Sequence, residues 1–331
     1  MQTKSNGILT RRRFLQQTFA FSAAASLSGC GQSIKQVVNT PSTTAVKEEI
    51  SHILTLGDWG ADGTPSNQSQ VAAGMQTYVA NQHISTDALI MLGDNFYGSL
   101  PGGVIDQRWQ IQFEQMYSAN VFNCPAYAIL GNHDYEPPSK ATTELSYAQA
   151  GNTRWTMPSR YYRFTFPSQN PLITFIGLDS NMLDEVSWAT QLQWLTDTLS
   201  KPLTTPFLAC FAHHPVYSNG PHGDNQTLIN SWDSLLRKYG VHLYLGGHDH
   251  DLQHLEFAGH PTSFVLSGGG GAPLYELQQA AKPRGPFAQM VSGFTHLQLE
   301  SNLMTIRHVG ADGTVVHAFT KTPNGLVTIL P

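Results

Sequence analysis

Between residues 51 and 250 the chain repeats one pattern: a short apolar run closes on a glycine or another small residue, and polar side chains follow at once. The instances are HILTLGDWG (52–60), ALIMLGDNFY (88–97), AYAILGNHD (126–134), ITFIGLDS (173–180), FLACFAHHP (207–215) and HLYLGGHDH (242–250). Apolar runs this short, bounded by turn residues, predict buried strands. Between them SNQSQVAAGMQTYVANQ (66–82), VSWATQLQWLTDTLS (186–200) and QTLINSWDSLLRKYG (226–240) place apolar residues near helical spacing, with Ser187 expected to cap the second and Gly240 to end the third. Alternating strands and helices predict an α/β core in which ligands gather at the carboxyl ends of the strands, so the polar endings share one rim. After residue 261 the text changes to strands and turns, with Asp312-Gly313 predicting a hairpin. Residues 51–331 read as one domain.

The N-terminus reads as an address. TRRRFLQQ (10–17) sets Arg11 and Arg12 before Phe14 and Leu15, and the apolar stretch that follows is too short to span a bilayer as a permanent helix. This pattern resembles a twin-arginine export signal, a route that carries proteins already folded. It ends in Leu27-Ser28-Gly29-Cys30, which resembles the lipobox of bacterial lipoproteins. Residues 1–30 are therefore expected to be the signal, 31–50 a polar tether, and the mature protein to be periplasmic or in the cell envelope, lipid-anchored at Cys30.

Hydrophobic residues make up 40% of the 331, enough for a packed core, and a net charge of -5 with 12% charged residues argues against a nucleic-acid groove, which needs a basic stripe. Cys124 and Cys210 lie inside apolar runs and are expected to be buried free thiols. Histidine changes the picture: of 14, eight fall between residues 213 and 260. The strand endings together offer two carboxylates (Asp58, Asp94), the amide of Asn132 and the imidazoles of His213, His248 and His250. That inventory is too rich for one ion and suits two, roughly 3.5–4 Å apart with a carboxylate bridging them.

GDWG, GDNFY, GNHD, AHHPVYS and GGHDH, in that order, resemble the metallophosphoesterase superfamily, specifically the small, mammalian-type purple acid phosphatases. RWTMPSRYYRF, QLQWL and VLSGGGG extend the resemblance over about residues 52–331. It implies an α/β sandwich of two mixed β-sheets flanked by helices. It also implies that Asp58, Asp94, Tyr97 and His250 hold Fe(III), and that Asp94 bridges to a divalent ion (Fe, Zn or Mn) completed by Asn132, His213 and His248. Tyr97 would supply the phenolate-to-iron absorption of purple enzymes. Of the pair in AHHP, His213 matches the ligand position, while His214 stands where the family usually carries tyrosine.

His133 and His222 would stabilise the transition state and protonate the leaving alcohol. The implied activity is hydrolysis of small phosphomonoesters by direct attack of metal-bound hydroxide, in a monomer, with no phosphoenzyme. A phosphodiesterase or nucleotide phosphatase on the same centre is the first alternative, and a catalytically silent, lipid-anchored metal- or phosphate-binding protein the second. Less is expected of other features. The SGGGG run from Ser267 reads as a tight rim loop, His242 and His254 as packing or surface residues, Trp188 and Trp194 as a buried helical stripe, and Trp59 as a pocket wall. The short LDSNMLDEVSWATQ connection, in place of the family's long cysteine-containing loop, suggests an open site.

Overall fold

All six apolar runs form strands, but each strand stops before the polar residues that end its run. A computed structural model describes residues 50–331 apart from 61–65 and 279–283, so the export signal, Cys30 and residues 31–49 of the tether lie outside the described residues. In chain order the strands are β1 (Ser51–Leu56), β2 (Ala88–Met91), β3 (Ala126–Ala128), β4 (Trp155–Thr156), β5 (Tyr162–Phe166), β6 (Ile173–Gly177), β7 (Phe207–Phe211) and β8 (Leu243–Gly246). There follow β9 (Leu252–Leu255), β10 (Ser263–Ser267), β11 (Phe287–Gln289), β12 (Gly293–Leu299), β13 (Met304–Gly310), β14 (Val315–Lys321) and β15 (Val327–Ile329).

They build two mixed sheets, ordered β15-β14-β13-β12-β1-β2-β3-β4 and β11-β9-β10-β8-β7-β6-β5. Within them β1–β4 pair in parallel, as do β6, β7, β8 and β10. The exits of both parallel sets carry the polar residues. The β13–β14 connection turns through Gly313, with φ +81°, as Asp312-Gly313 predicts.

Strand periodicity divides the interior in two. On β7, Phe207, Ala209 and Phe211 enter the larger core with Leu54, Leu56 and Ile90 of the first sheet. The alternate residues Leu208 and Cys210 enter a second core with Leu195, Leu199, Trp232 and Leu236. Because both faces are covered, these strands are apolar throughout rather than alternating. Each fully buried Leu, Ile or Phe contributes roughly 1.5–3 kcal/mol. Cys124 and Cys210 are buried free thiols. No described helix is long and apolar enough to cross a membrane.

The helices are α1 (Ser66–Gln82), α2 (Ser139–Gln149) and α3 (Glu185–Leu199). Ser187 does not cap α3. Asp184, in extended backbone, accepts from the Ser187 N–H at 2.8 Å, because a cap must precede the first helical turn. The third predicted helix is interrupted: Gln226–Leu228 and Ser234–Lys238 flank a wider π segment, Ile229–Asp233, which carries fully buried Trp232 into a stack on Trp188. Trp188 and Trp194 are half-buried at the flank of α3, whose buried stripe is Gln191, Leu195, Thr198 and Leu199. Trp59 walls no pocket; it is fully buried among Phe96, Tyr117 and Trp155. His242 and His254 are packing residues.

Candidate metal centre

Three of the strand exits share an unusual turn. Asp58, Asp94 and His248, which follow Gly57, Gly93 and Gly247, have φ of +59°, +50° and +70°. Left-handed backbone costs a non-glycine residue about 1 kcal/mol or more and persists where the surroundings over-determine it. Here it turns each side chain back over the strand ends. The turn is held by Asp58 N–H donating to the Gly93 carbonyl and by His248 N–H donating to Asp58 Oδ2 at 2.8 Å.

The seven sequence-predicted ligands converge. Tyr97 Oη lies 3.1 Å from His250 Nε2, which is 3.5 Å from Asp58 Oδ1. His213 Nε2 lies 3.1 Å from Asn132 Oδ1, 3.3 Å from His248 Nδ1, 3.4 Å from Asp94 Oδ1 and 3.9 Å from Asp58 Oδ1. Asp58, Asp94 and His213 are all buried and suitably spaced to hold a cation. One half of the cluster is oxygen-rich and the other imidazole-rich, with Asp94 near both.

Carbonyls set the tautomers. His213 Nδ1 donates to the Leu92 carbonyl at 2.9 Å and His250 Nδ1 to the Pro273 carbonyl at 2.6 Å, which turns both Nε2 atoms inward, where a cation could take the place of a proton. Backbone also crowds the carboxylates: a Cβ on Gly131 would stand 2.1 Å from Asp94 Oδ1, and one on Gly247 2.4 Å from Asp58 Oδ2. The glycines after Ser267 pack as closely, since a Cβ on Gly270 would meet the Gly57 carbonyl at 2.3 Å, so this run is a packing loop beneath the site.

The electrostatics call for positive charge. Asp58 Oδ1 is buried with no hydrogen-bond donor, a costly state for an anionic oxygen. Burial alone would depress His213, yet Asp94 and Asp58 outweigh it and raise the imidazole to about 10. Burial and then His213 push His248 far down, so these neighbours do not both hold an extra proton. Burial, then Asp58 and Asp94, drive the Tyr97 phenol well above its usual range; a phenolate there needs a cation beside it. An unpaired buried carboxylate oxygen, a crowded carboxylate pair and inward-turned atoms of mixed O/N character fit a two-cation centre.

His133 and His222 both border this cluster. His133 N–H donates to Asp94 Oδ1 at 2.9 Å, and its ring lies 4.5 Å from that of Tyr97. The His222 ring is 4.1 Å from that of His248. His214 is there too, 4.3 Å from His248, and is held down to about 3 by burial and by His213.

Sequence reasoning assigned no role to Asp249, although it sits between two of the predicted ligands, His248 and His250, in GGHDH. Fully buried, it accepts from His222 Nδ1 at 2.6 Å and from the Ser218 hydroxyl. It also missed Tyr275, whose ring stacks on His250 at 4.0 Å, and the clamp beneath Asp94. In that clamp Asp134 accepts from the N–H groups of Asn95, Phe96 and Gly131, and burial followed by Asp94 raises its carboxyl to about 6. The Asp134 of GNHD was in view as a letter; its three partners belong to two different loops.

Residues 51–252 match the calcineurin-like phosphoesterase family. The chain is 30% identical over 296 residues to the mouse (Mus musculus) tartrate-resistant acid phosphatase type 5, covering 78% of this chain and 86% of that one. It is 30% identical over 230 residues to purple acid phosphatase 7 of Arabidopsis thaliana, covering 66% and 69%. Among solved structures, GAP50, the anchor in the inner membrane complex of Plasmodium, superposes with a TM-score of 0.71 at 23% identity, covering 81% of this chain and 87% of that one. The chain belongs to the calcineurin-like phosphoesterase family, among its tartrate-resistant and purple acid phosphatases.

Proposed function

We propose that this chain is a metal-dependent acid phosphatase that hydrolyses phosphomonoesters. The observation that carries the reading is the convergence of Tyr97, Asn132 and His248 with the buried Asp58, Asp94, His213 and His250 in one cluster, with His133 and His222 at its edge. Asp58, Asp94, Tyr97 and His250 would hold Fe(III), since carboxylates and a phenolate suit a hard trivalent ion; Asp94, Asn132, His213 and His248 would hold a divalent Fe, Zn or Mn. When bound, the two cations neutralise the phosphoryl charge and acidify water.

The chain's own part is orientation and proton delivery. Asp249 accepts a hydrogen bond from His222 Nδ1, which orients the ring so that, as the imidazolium, it would give its Nε2 proton to the leaving oxygen and return to the neutral ring with its proton on Nδ1. His133 pins Asp94 through its backbone and keeps its partly exposed ring for the substrate, with Glu136 3.3 Å from Nδ1. Asp134 holds the β2 and β3 exits together, so Asp94 and Asn132 keep their spacing. A complete ligand set with two flanking histidines favours an enzyme over a silent anchor.

The test compares p-nitrophenyl phosphate with bis(p-nitrophenyl) phosphate on metal-loaded protein. Faster monoester turnover is expected; the reverse order would make the chain a diesterase, and hydrolysis of neither would overturn the reading. We further propose export by the twin-arginine route and anchoring through acylated Cys30, on the strength of Arg11, Arg12 and the Leu27–Cys30 lipobox. Cys30→Ser should release active protein from membranes; wild type that is wholly soluble after export would refute the anchor.

A further inference from the structure

His214 is held as firmly as a ligand, but nothing described so far uses it. It follows β7, and Ser180 follows the neighbouring parallel strand β6. Buried Ser180 Oγ accepts the His214 N–H at 2.9 Å and sits 2.8 Å from His214 Nδ1. The Tyr244 hydroxyl donates to the His214 carbonyl at 2.8 Å, so the backbone is fixed from the other side.

The tautomer follows from counting protons. The Ser180 hydroxyl has one proton, and its oxygen already receives the His214 N–H. Among the described residues His214 Nδ1 is the only acceptor within its reach. If Nδ1 donated instead, the buried hydroxyl proton would have no acceptor. Ser180 therefore donates to Nδ1, and the proton of the neutral imidazole rests on Nε2. That Nε2 makes no hydrogen bond to a described residue and is not sealed from solvent, since His214 is half-buried and has no orphaned buried atom. The ring centroid lies 4.3 Å from His248 and 5.1 Å from His213, two of the imidazoles assigned to the divalent ion. An immobilised, neutral N–H donor stands beside the centre with no hydrogen-bond partner among the described residues.

We propose that His214 is a substrate-binding residue whose Nε2–H donates a hydrogen bond to a phosphoryl oxygen of the ester, with Ser180 setting the tautomer. The proposal rests on the phosphatase reading for its substrate class. A donor to the phosphoryl group serves bound ester, transition state and product phosphate alike, so it acts on affinity more than on turnover.

The test measures inorganic phosphate binding to metal-loaded protein by titration calorimetry, with metal content determined for each variant, alongside KM and kcat for p-nitrophenyl phosphate. His214→Phe keeps the ring and removes the donor; Kd for phosphate and KM should both rise about five- to tenfold, with kcat within about twofold. His214→Gln restores an N–H near the Nε2 position and should recover most of the affinity. Ser180→Ala leaves the imidazole but frees its tautomer and should weaken phosphate by about two- to threefold.

Phosphate Kd unchanged in a His214→Phe protein that retains both metals overturns the proposal, as does a fall in kcat with no change in Kd. Should His214→Phe lose metal, Ser180→Ala decides: an unchanged Kd there overturns the assignment and a raised one upholds it. A wild type that binds phosphate but hydrolyses no ester would refute the phosphatase reading alone, and the Kd comparison would still judge His214.

Discussion

Gly246 and Gly247 are adjacent, buried, and chemically the same perturbation when changed to alanine, yet their surroundings demand different outcomes. At Gly246 the added Cβ would find its nearest neighbour, Pro215 Cα, at 3.4 Å, which is ordinary contact. At Gly247 it would stand 2.4 Å from Asp58 Oδ2, so the carboxylate must retreat by about 1 Å. It has little room to do so: the same oxygen accepts the His248 N–H at 2.8 Å, and Asp58 already occupies left-handed backbone. Metal sites tolerate ligand displacements of about 0.2 Å, and disturbed supporting contacts cost roughly 10–100-fold in affinity or activity.

Gly247→Ala should therefore lose metal from the Asp58 half of the centre. It should destabilise the fold by about 1–3 kcal/mol through overpacking. Gly246→Ala should keep its metal. Metal analysis after dialysis against graded chelator, with urea melts of the same samples, reads both quantities. Equal metal retention by the two variants would refute the placement of Asp58 and the argument from crowding.

Asp94→Asn should deplete both metals and abolish turnover, while His213→Ala should preferentially empty the divalent position; equal metal content in wild type and Asp94→Asn would contradict the bridge. Tyr97→Phe should bleach the visible band of iron-loaded, oxidised protein while Asp58, Asp94 and His250 still hold metal; a wild type with iron and no band would remove Tyr97 from the ligand set. His296 offers a pH test away from the metals, where burial, then Arg307 and His52, hold the imidazole at about 3. Because the folded value lies below the unfolded 6.5, the unfolded chain takes up a proton that the native one refuses. Stability is full above pH 6.5 and falls as pH drops, by about 3 kcal/mol at pH 4 from this residue. Urea midpoints between pH 7 and 4 should decline less steeply in His296→Leu; parallel curves would show that His296 is not held neutral.

The strands, their polar endings and the seven donor residues were legible because the signals are local: an apolar run, a glycine and a polar residue are neighbours in the chain, and periods of two and 3.6 are read within a short window. The family resemblance worked for the same reason, since GDNFY and GNHD are contiguous words. What the words could not carry was partnership across the chain. Asp58 accepts from the backbone of His248, 190 residues away, and β12 inserts beside β1 from the far end of the sequence. The left-handed turns at Asp58, Asp94 and His248, the imidazole nitrogens turned inward by Leu92 and Pro273, and the Asp249–His222 pair all follow from such meetings. So do the reassignment of Trp59 from pocket to core and the π segment at Trp232. Composition and periodicity determine which side chains must be buried and which residues can bind metal. The hydrogen-bond partner of a given nitrogen, and the sign of a given φ, are decided where sheets and loops distant in sequence are pressed together, because only there is a buried polar group obliged to find its partner.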